Sequence, residues 1–156
     1  MQILPGVVRR SSVLAAVAAF VALAAALPSS ASAASTCSRE ARSVTDDLGH
    51  TFTYRYHCST YVGSPVYANP YNTAPLDDSG YMYAAPDVWV VCQKSGRPNP
   101  TIQGNTNTYW LYTQGDVARA NAYGYTHAWG YLPATAVSQG GQNEAVPGVP
   151  ICARWY

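Results

Sequence analysis

Alternation of apolar and polar side chains along short segments is the feature that most constrains how this chain folds. Aromatic residues and a cysteine alternate with polar residues over 51–58, and residues 87–93 sort their side chains onto two faces in the same way. This period-two pattern is typical of β-strands. Residues 109–113 and 123–132 predict two further strands, whereas residues 116–122 form at most one short helical turn. Short strands separated by Gly-, Pro- and Asn-rich turns predict an all-β fold, either a small barrel or a sandwich.

Residues 1–33 are predicted to be a signal peptide. A basic start at Arg9-Arg10 precedes an unbroken apolar run over 13–27, and the small residues of 31–33 suit cleavage after Ala33. A membrane anchor and a twin-arginine signal are the alternatives. The apolar run is shorter than the ~20 residues that span a bilayer, and the residues after Arg10 match the twin-arginine consensus poorly. The mature protein is therefore expected to be secreted and extracellular.

The charge of the mature chain limits its partners. Without Arg9 and Arg10, seven basic residues stand against eight acidic ones, so the exported protein is nearly neutral. Nucleic acids and anionic lipid surfaces attract proteins through clustered Lys and Arg. We therefore expect neither nucleic-acid binding nor membrane binding after the signal is removed.

All four cysteines, Cys37, Cys58, Cys92 and Cys152, lie in the mature part. An even number of cysteines in a small exported domain predicts two disulfides, for which three pairings exist. We prefer Cys37–Cys58 and Cys92–Cys152, because the first closes the N-terminal segment on itself and the second ties the tail to a central strand. Zinc binding is the competing interpretation, but the cysteines occur singly, without the paired spacing of zinc sites.

Ionisable residues give little indication of an enzyme. His50, His57 and His127 are scattered, and the sequence has no nucleophile elbow, metalloprotease helix or phosphate-binding loop. The acidic pairs 46–47 and 77–78 lie in turn-like stretches, where adjacent carboxylates usually point apart. We therefore predict no catalytic residues, no metal and no cofactor.

Several motifs follow one another in an order that resembles a known family. Residues 130–137 read Gly-Tyr-Leu-Pro-Ala-Thr-Ala-Val, residues 66–71 read Val-Tyr-Ala-Asn-Pro-Tyr, and Tyr109-Trp110 lies between them. With the strand at 87–93 and the Pro-Gly-x-Pro-x-Cys tail at 147–152, this order resembles bacterial SH3-like (Src homology 3, SH3b-type) domains of the secreted actinobacterial type. The match covers about half of the chain.

This resemblance implies a domain layout. Residues 62–137 would form a small SH3-like β-barrel, and residues 34–61 an N-terminal arm or hairpin. Residues 138–156 would be a C-terminal tail tied back by a disulfide.

The thirteen tyrosines are assigned two roles, core packing and ligand binding. Most of them fill a core that is poor in large aliphatic residues, and Trp110 and Trp129 are expected to be buried or half-buried. In the SH3-like frame, a subset would line a ligand groove with Pro133 as its floor. The predicted ligand-binding residues are Tyr67, Tyr71, Tyr109, Tyr131 and Pro133.

The resemblance implies a binding module that is not an enzyme. Its expected partner is an extracellular polymer or peptide, such as the cell-wall peptide of peptidoglycan. One alternative is a small secreted protease inhibitor, in which the loop 95–100 with Arg97, and Lys94 beside it, would enter a protease cleft. The other is a small secreted hydrolase whose active-site residues are dispersed along the sequence.

Overall fold

The computed structural model describes Gln2 and residues 35–156, so the signal-peptide prediction lies outside the described residues. Eleven short strands and one 3₁₀ turn succeed one another, and none of the described residues is α-helical. The all-β prediction is therefore confirmed. The elements are β1 (Ser38–Glu40), β2 (Val44–Thr45), β3 (Thr51–Phe52), β4 (Arg55–Cys58), β5 (Ser64–Tyr67), β6 (Asp78–Met82), β7 (Val88–Val90), β8 (Cys92–Ser95), β9 (Tyr109–Gln114), β10 (Val117–Ala118), β11 (Trp129–Pro133) and the 3₁₀ turn Ala134–Ala136.

Three antiparallel sheets arise from these strands. The largest has the order β10-β6-β5-β11-β9-β8, and smaller sheets have the orders β1-β4-β7 and β2-β3. The centre of the largest sheet joins β5 to β11, where Tyr67 lies opposite Tyr131. Its edge strands, β10 and β8, do not pair with each other, so within residues 35–156 no sheet closes on itself.

Two predicted strands change pairing partners within their length. The alternation over 51–58 is divided into β3, which pairs with β2, and β4, which pairs with β1 and β7. Residues 87–93 are divided at Val91, where the chain leaves β4 and joins β9; the Val91 amide donates to the Tyr112 carbonyl at 2.9 Å. Side-chain alternation continues through such a transfer, so alternation alone does not reveal it.

The other predicted elements fit to different degrees. The strand at 109–113 is confirmed as β9, and the two tryptophans Trp110 and Trp129 are both buried. Within 123–132 only β11 is extended, because Gly124 and Ala128 have φ of 84° and 60°, which interrupts a strand. Residues 116–122 contain β10 and no helical turn.

The core has two parts, one on each side of the largest sheet. Along β9, Leu111 belongs to a mainly aliphatic cluster, while Trp110 and Tyr112 belong to an aromatic one. Along β11, Leu132 and Tyr131 divide in the same way. Strict alternation thus gives both faces of the sheet a buried layer.

The four cysteines form Cys37–Cys58 and Cys92–Cys152, which is the preferred pairing. The first bond joins the start of the described chain to the end of β4, and the second holds the tail against β8. Two disulfides indicate an extracellular or otherwise oxidising environment. Among residues 35–156 there is no helix of the length and apolarity needed to cross a membrane.

Candidate functional site

The structure does not bring together the five residues predicted to line a groove. Tyr67 and Pro133 are buried, and Tyr131 has no exposed surface. Tyr71 is 43% exposed and packs against the tail, on the aromatic side of the sheet. Tyr109 is half-buried against the aliphatic cluster, on the opposite side. Tyr71 and Tyr109 therefore do not face each other across a groove.

Tyr131 is buried because the tail covers it. Its hydroxyl donates to the main-chain oxygen of Tyr156 at 3.3 Å and accepts the amide of Tyr156 at 2.6 Å, and Trp155 packs edge-on against its ring at 5.0 Å. Burial raises the pKa of Tyr131 well above its ordinary value. The ring is therefore part of the core, and it offers no surface to a ligand.

A pocket of about 410 Å³ lies elsewhere, between the loop after Ile102 and the segment that follows β11. Eight of its twelve lining residues carry an uncharged hydroxyl or amide side chain, and none of the twelve is charged. We call it the amide pocket. Its lining residues are Tyr61, Asn105, Thr106, Asn107, Ala134, Thr135, Val137, Ser138, Gln139, Gly140, Gly141 and Gln142.

Hydrogen bonds hold one wall of the amide pocket in place. The hydroxyl of Tyr61 donates to the carbonyl of Thr135 and accepts from Asn105 Nδ2 at 3.0 Å. Tyr61 remains 37% exposed, so part of its ring is free to contact a ligand. Asn105 uses its amide nitrogen in this contact, and its Oδ1 atom has no partner among the described residues. A fixed aromatic ring and an open acceptor therefore lie side by side.

Asn107 organises the other wall. Its Nδ2 atom donates to the carbonyls of Gly141 and Glu144 at 3.2 and 3.0 Å. Gly140 has φ of 89°, a left-handed conformation that favours glycine, and this turns the chain at the mouth of the pocket. Gln142 follows it and is exposed, so its amide is accessible at the rim.

A buried donor lies behind this pocket. Asn99 Oδ1 accepts the amide of Thr135 at 3.3 Å, while Asn99 Nδ2 has no hydrogen-bond partner in the described part of the chain. Buried polar groups are usually paired, because an unpaired donor costs free energy. Asn99 contacts the pocket through Thr135 and is not itself a lining residue.

A second pocket, of about 290 Å³, contains a histidine held between two carboxylates. His57 Nδ1 lies 2.7 Å from Asp87 Oδ1, and His57 Nε2 lies 3.0 Å from Glu40 Oε2. The hydrogen bonds to Glu40 and then to Asp87 raise the pKa of His57 above its ordinary value. We call this the histidine pocket; it is lined by Ser38, His57, Cys58, Pro86, Asp87 and Gln139.

Ser38, His57 and Asp87 are the residue types of a hydrolytic triad, but their arrangement is different. A triad requires a hydrogen bond from the serine hydroxyl to a histidine nitrogen that can accept a proton. Here the nitrogen that should face Ser38 is bonded to Glu40. Both ring nitrogens donate to carboxylates, which describes a protonated imidazole without a free lone pair. This geometry gives no general base.

The other two histidines also pair with aspartates. His50 Nδ1 lies 2.9 Å from Asp46 Oδ2, and His127 Nδ1 lies 2.6 Å from Asp47 Oδ1. Asp46 is fully buried and also accepts from the Tyr112 hydroxyl at 2.8 Å. The adjacent carboxylates of Asp46 and Asp47 thus bond to different histidines, and each of them organises a turn.

The loop 95–100 is tied to the body of the protein. The Arg97 side chain donates to the carbonyls of Asn72, at 3.0 Å, and Ala74, at 2.5 Å. Asn99 is buried, and the Arg97 carbonyl accepts the indole N–H of Trp110 at 2.8 Å. Arg97 is therefore not presented as a free side chain at the tip of the loop.

Sequence reasoning missed the amide pocket because three segments that are far apart in the sequence build it. The available signal was compositional: residues 105–107 read Asn-Thr-Asn and residues 139–142 read Gln-Gly-Gly-Gln, two runs rich in amides and without charge. No local period connects these runs, since only the path of the chain through β9 and β11 brings them together.

The chain matches no protein-family model, no curated protein and no solved structure. Within residues 35–156, no group of three or more His, Cys, Asp or Glu side chains is placed to hold a metal ion.

Proposed function

We propose that this protein is a secreted, non-enzymatic binding module for an extracellular polymer, and that the amide pocket is its binding site. The observation that carries the proposal is the uncharged, hydroxyl- and amide-rich lining of this pocket. The resemblance of residues 62–137 to SH3-like domains of the SH3b type, with the barrel that it implies, supports the same class of function.

The lining favours a sugar chain over a charged ligand. Each side-chain amide offers donors and acceptors together, as a ligand with many hydroxyl or acetamido groups requires. A phosphate or a strongly acidic peptide would lose its hydration and meet no cation among the twelve lining residues. The exposed part of the Tyr61 ring suits the apolar face of a sugar. The glycan of a cell wall, including peptidoglycan, has this chemistry.

The two alternatives receive less support from the geometry. An inhibitory loop must project a side chain into a protease cleft, whereas Arg97 is bonded to the carbonyls of Asn72 and Ala74. A hydrolase of the serine type needs a free base, whereas His57 is bonded to Glu40 and Asp87. A binding role requires neither feature.

Capture on insoluble peptidoglycan tests the proposal. Gln142→Ala and Asn105→Ala each remove an accessible amide from the pocket, and each is expected to weaken capture about tenfold, the effect of one lost hydrogen bond of typical strength. Thr73→Ala, at an exposed position outside the lining, is the matched control and should bind like the wild type.

Three results would count against the proposal, each in a different way. Capture that is unchanged by both amide substitutions would place the ligand elsewhere on the protein. If the wild-type protein is retained neither on peptidoglycan nor on its isolated glycan strands, the proposal that its ligand is a cell-wall polymer is wrong. Inhibition of a protease panel at stoichiometric concentrations would move the inhibitor interpretation to first place.

A further inference from the structure

The amide pocket and the histidine pocket share a residue. Gln139 lines both of them, with its amide fixed by Ser59: Oε1 accepts the Ser59 amide at 3.0 Å and Nε2 donates to the Ser59 hydroxyl at 2.9 Å. Since a carboxamide oxygen has two lone pairs and its nitrogen two protons, each atom keeps one unused position. Gln139 is thus a rigid, polar junction between two pockets.

A short antiparallel ladder connects the pockets beneath this junction. Thr60 bridges Val137, and the amide of Ser138 donates to the carbonyl of Ser59 at 2.8 Å. Cys58 at one end of this ladder lines the histidine pocket, and Tyr61 at the other end lines the amide pocket. Three residues of extended chain span ~10 Å, which is longer than one pyranose ring.

The two pockets differ in charge. The amide pocket has no charged lining residue, whereas the histidine pocket exposes the Asp87 carboxylate, whose side chain is 67% accessible. Asp87 bonds to His57 through Oδ1, which leaves Oδ2 as an acceptor for a ligand. Ser38 adds an exposed hydroxyl nearby. This end of the surface suits ligand groups that donate hydrogen bonds, such as sugar hydroxyls and acetamido N–H groups.

We propose that the two pockets are subsites of one binding track, which holds an uncharged polysaccharide along its length with sugar units in both pockets. This inference rests on the proposed function and adds to it the ligand's class and its mode of binding. The track recognises an internal stretch of the polymer, since Gln139 connects the pockets across the surface. Asp87 and Ser38 determine how strongly the second subsite contributes.

Isothermal titration of the disulfide-bonded protein with N-acetylglucosamine oligomers, from the monomer to the hexamer, tests the track. Affinity should rise with length until both pockets are filled and then stay constant. Asp87→Asn should weaken binding of the longer oligomers about tenfold, because a hydrogen bond to a charged acceptor is replaced by a weaker one. Binding of the monomer should not change. Asp116→Asn, an exposed carboxylate outside both linings, is the control.

The outcomes separate the track from the proposed function. If affinity does not rise from monomer to hexamer, or if Asp87→Asn affects all lengths equally or none, the track is overturned while binding in the amide pocket stands. Capture on peptidoglycan without binding of any soluble oligomer also overturns the track and leaves the polymer-binding role in place. Binding of isolated stem peptides in preference to glycans would assign the surface to a peptide and overturn it as well.

Discussion

The two faces of the six-stranded sheet are filled by different chemistry. One face is covered by small and branched aliphatic side chains, including Val66, Leu111 and Leu132, together with the Cys37–Cys58 bond. The other is covered by rings, including Trp110, Tyr112 and Tyr131, together with Cys92 and Cys152. Both layers are buried, and the fully buried tyrosines, whose hydroxyl groups need hydrogen-bond partners, lie in the aromatic one.

The difference shows how a small domain uses tyrosine in place of large aliphatic residues. Each buried ring adds apolar area, and each hydroxyl fixes the position of a second segment. Tyr112 holds the turn at Asp46 through its hydroxyl, and the hydroxyls of Tyr125 and Tyr131 hold the main chain of Tyr156. The aliphatic face is stabilised by side-chain packing and the Cys37–Cys58 bond, whereas the aromatic face also depends on hydrogen bonds of its tyrosine hydroxyls.

The comparison predicts that the aromatic face limits stability at high pH. Burial raises the pKa of Tyr125 to about 12 and raises those of Tyr112 and Tyr131 further, from ordinary values of 10.0. A tyrosine whose pKa is higher in the folded state than in the unfolded state stabilises the fold below the unfolded-state pKa. This contribution is lost as the pH rises from the unfolded-state pKa through the folded-state pKa. We expect cooperative unfolding above about pH 10, accompanied by a jump in tyrosinate absorbance. If these tyrosines titrate gradually while the near-UV circular dichroism stays unchanged, the predicted alkaline unfolding does not occur.

Truncation of the large rings should have the next largest effect. Trp110→Ala removes a fully buried indole and leaves the Arg97 carbonyl without its donor. We expect a loss of about 3–5 kcal/mol in the free energy of unfolding, measured by urea denaturation. Leu111→Ala, the neighbour on the aliphatic face, is the matched variant and should cost less, since fewer atoms are removed. A larger loss for Leu111→Ala would reverse the ranking of the two faces.

Each face contains one disulfide, and removing it tests how much that bond stabilises the fold by restricting the unfolded chain. Cys92–Cys152 closes a separation of 60 residues and Cys37–Cys58 one of 21 residues. In the loop-entropy model the longer closure contributes ~4 kcal/mol and the shorter ~3 kcal/mol. The double variant Cys92→Ala/Cys152→Ala should therefore unfold at a lower denaturant concentration than Cys37→Ala/Cys58→Ala. Equal midpoints would indicate that the loop-entropy difference does not control their stability.

A single hydroxyl provides the finest test of the aromatic face. Tyr112→Phe keeps the ring but removes the donor to the buried Asp46 carboxylate. We expect a loss of about 1.5–3 kcal/mol, the usual range for a hydrogen bond to a charged group. Tyr83→Phe, at a position 58% exposed, is the control and should leave stability unchanged. A neutral Tyr112→Phe would mean that the ring alone stabilises this face.

Local patterns were sufficient for part of the fold. The strand predicted over 109–113 agrees with β9 almost to the residue. Its successive side chains alternate between the two buried layers of the core. The cysteine pairing is confirmed as the preferred one, although the sequence by itself leaves three pairings open. Partner choice was not accessible. Val91 passes from one sheet to another without any change in its side-chain pattern.

The site was harder to predict than the fold. Tyr131 and Tyr71 have the same side chain and both contact Trp155 of the tail, but Tyr131 lies in the central strand β11 and is buried, whereas Tyr71 lies outside the strands and is 43% exposed. The amide pocket joins Tyr61 to Asn105 and Gly141, which lie far apart in sequence. A contact of this kind depends on tertiary topology, and no periodicity or short motif reports it.

The disulfide between β8 and the tail also bears on survival among extracellular proteases. The turn at Gln103 and Gly104 is an exposed loop tip with a polar and a small residue, the kind of site at which proteases preferentially cut. A cut there falls between Cys92 and Cys152, so both fragments remain one covalent molecule. The same holds for any cut from 92 to 152 and, through the other bond, from 37 to 58. Between Cys37 and Cys152, only cleavage in the stretch from Cys58 to Cys92, which contains β5, β6 and β7, would leave two fragments without a covalent link.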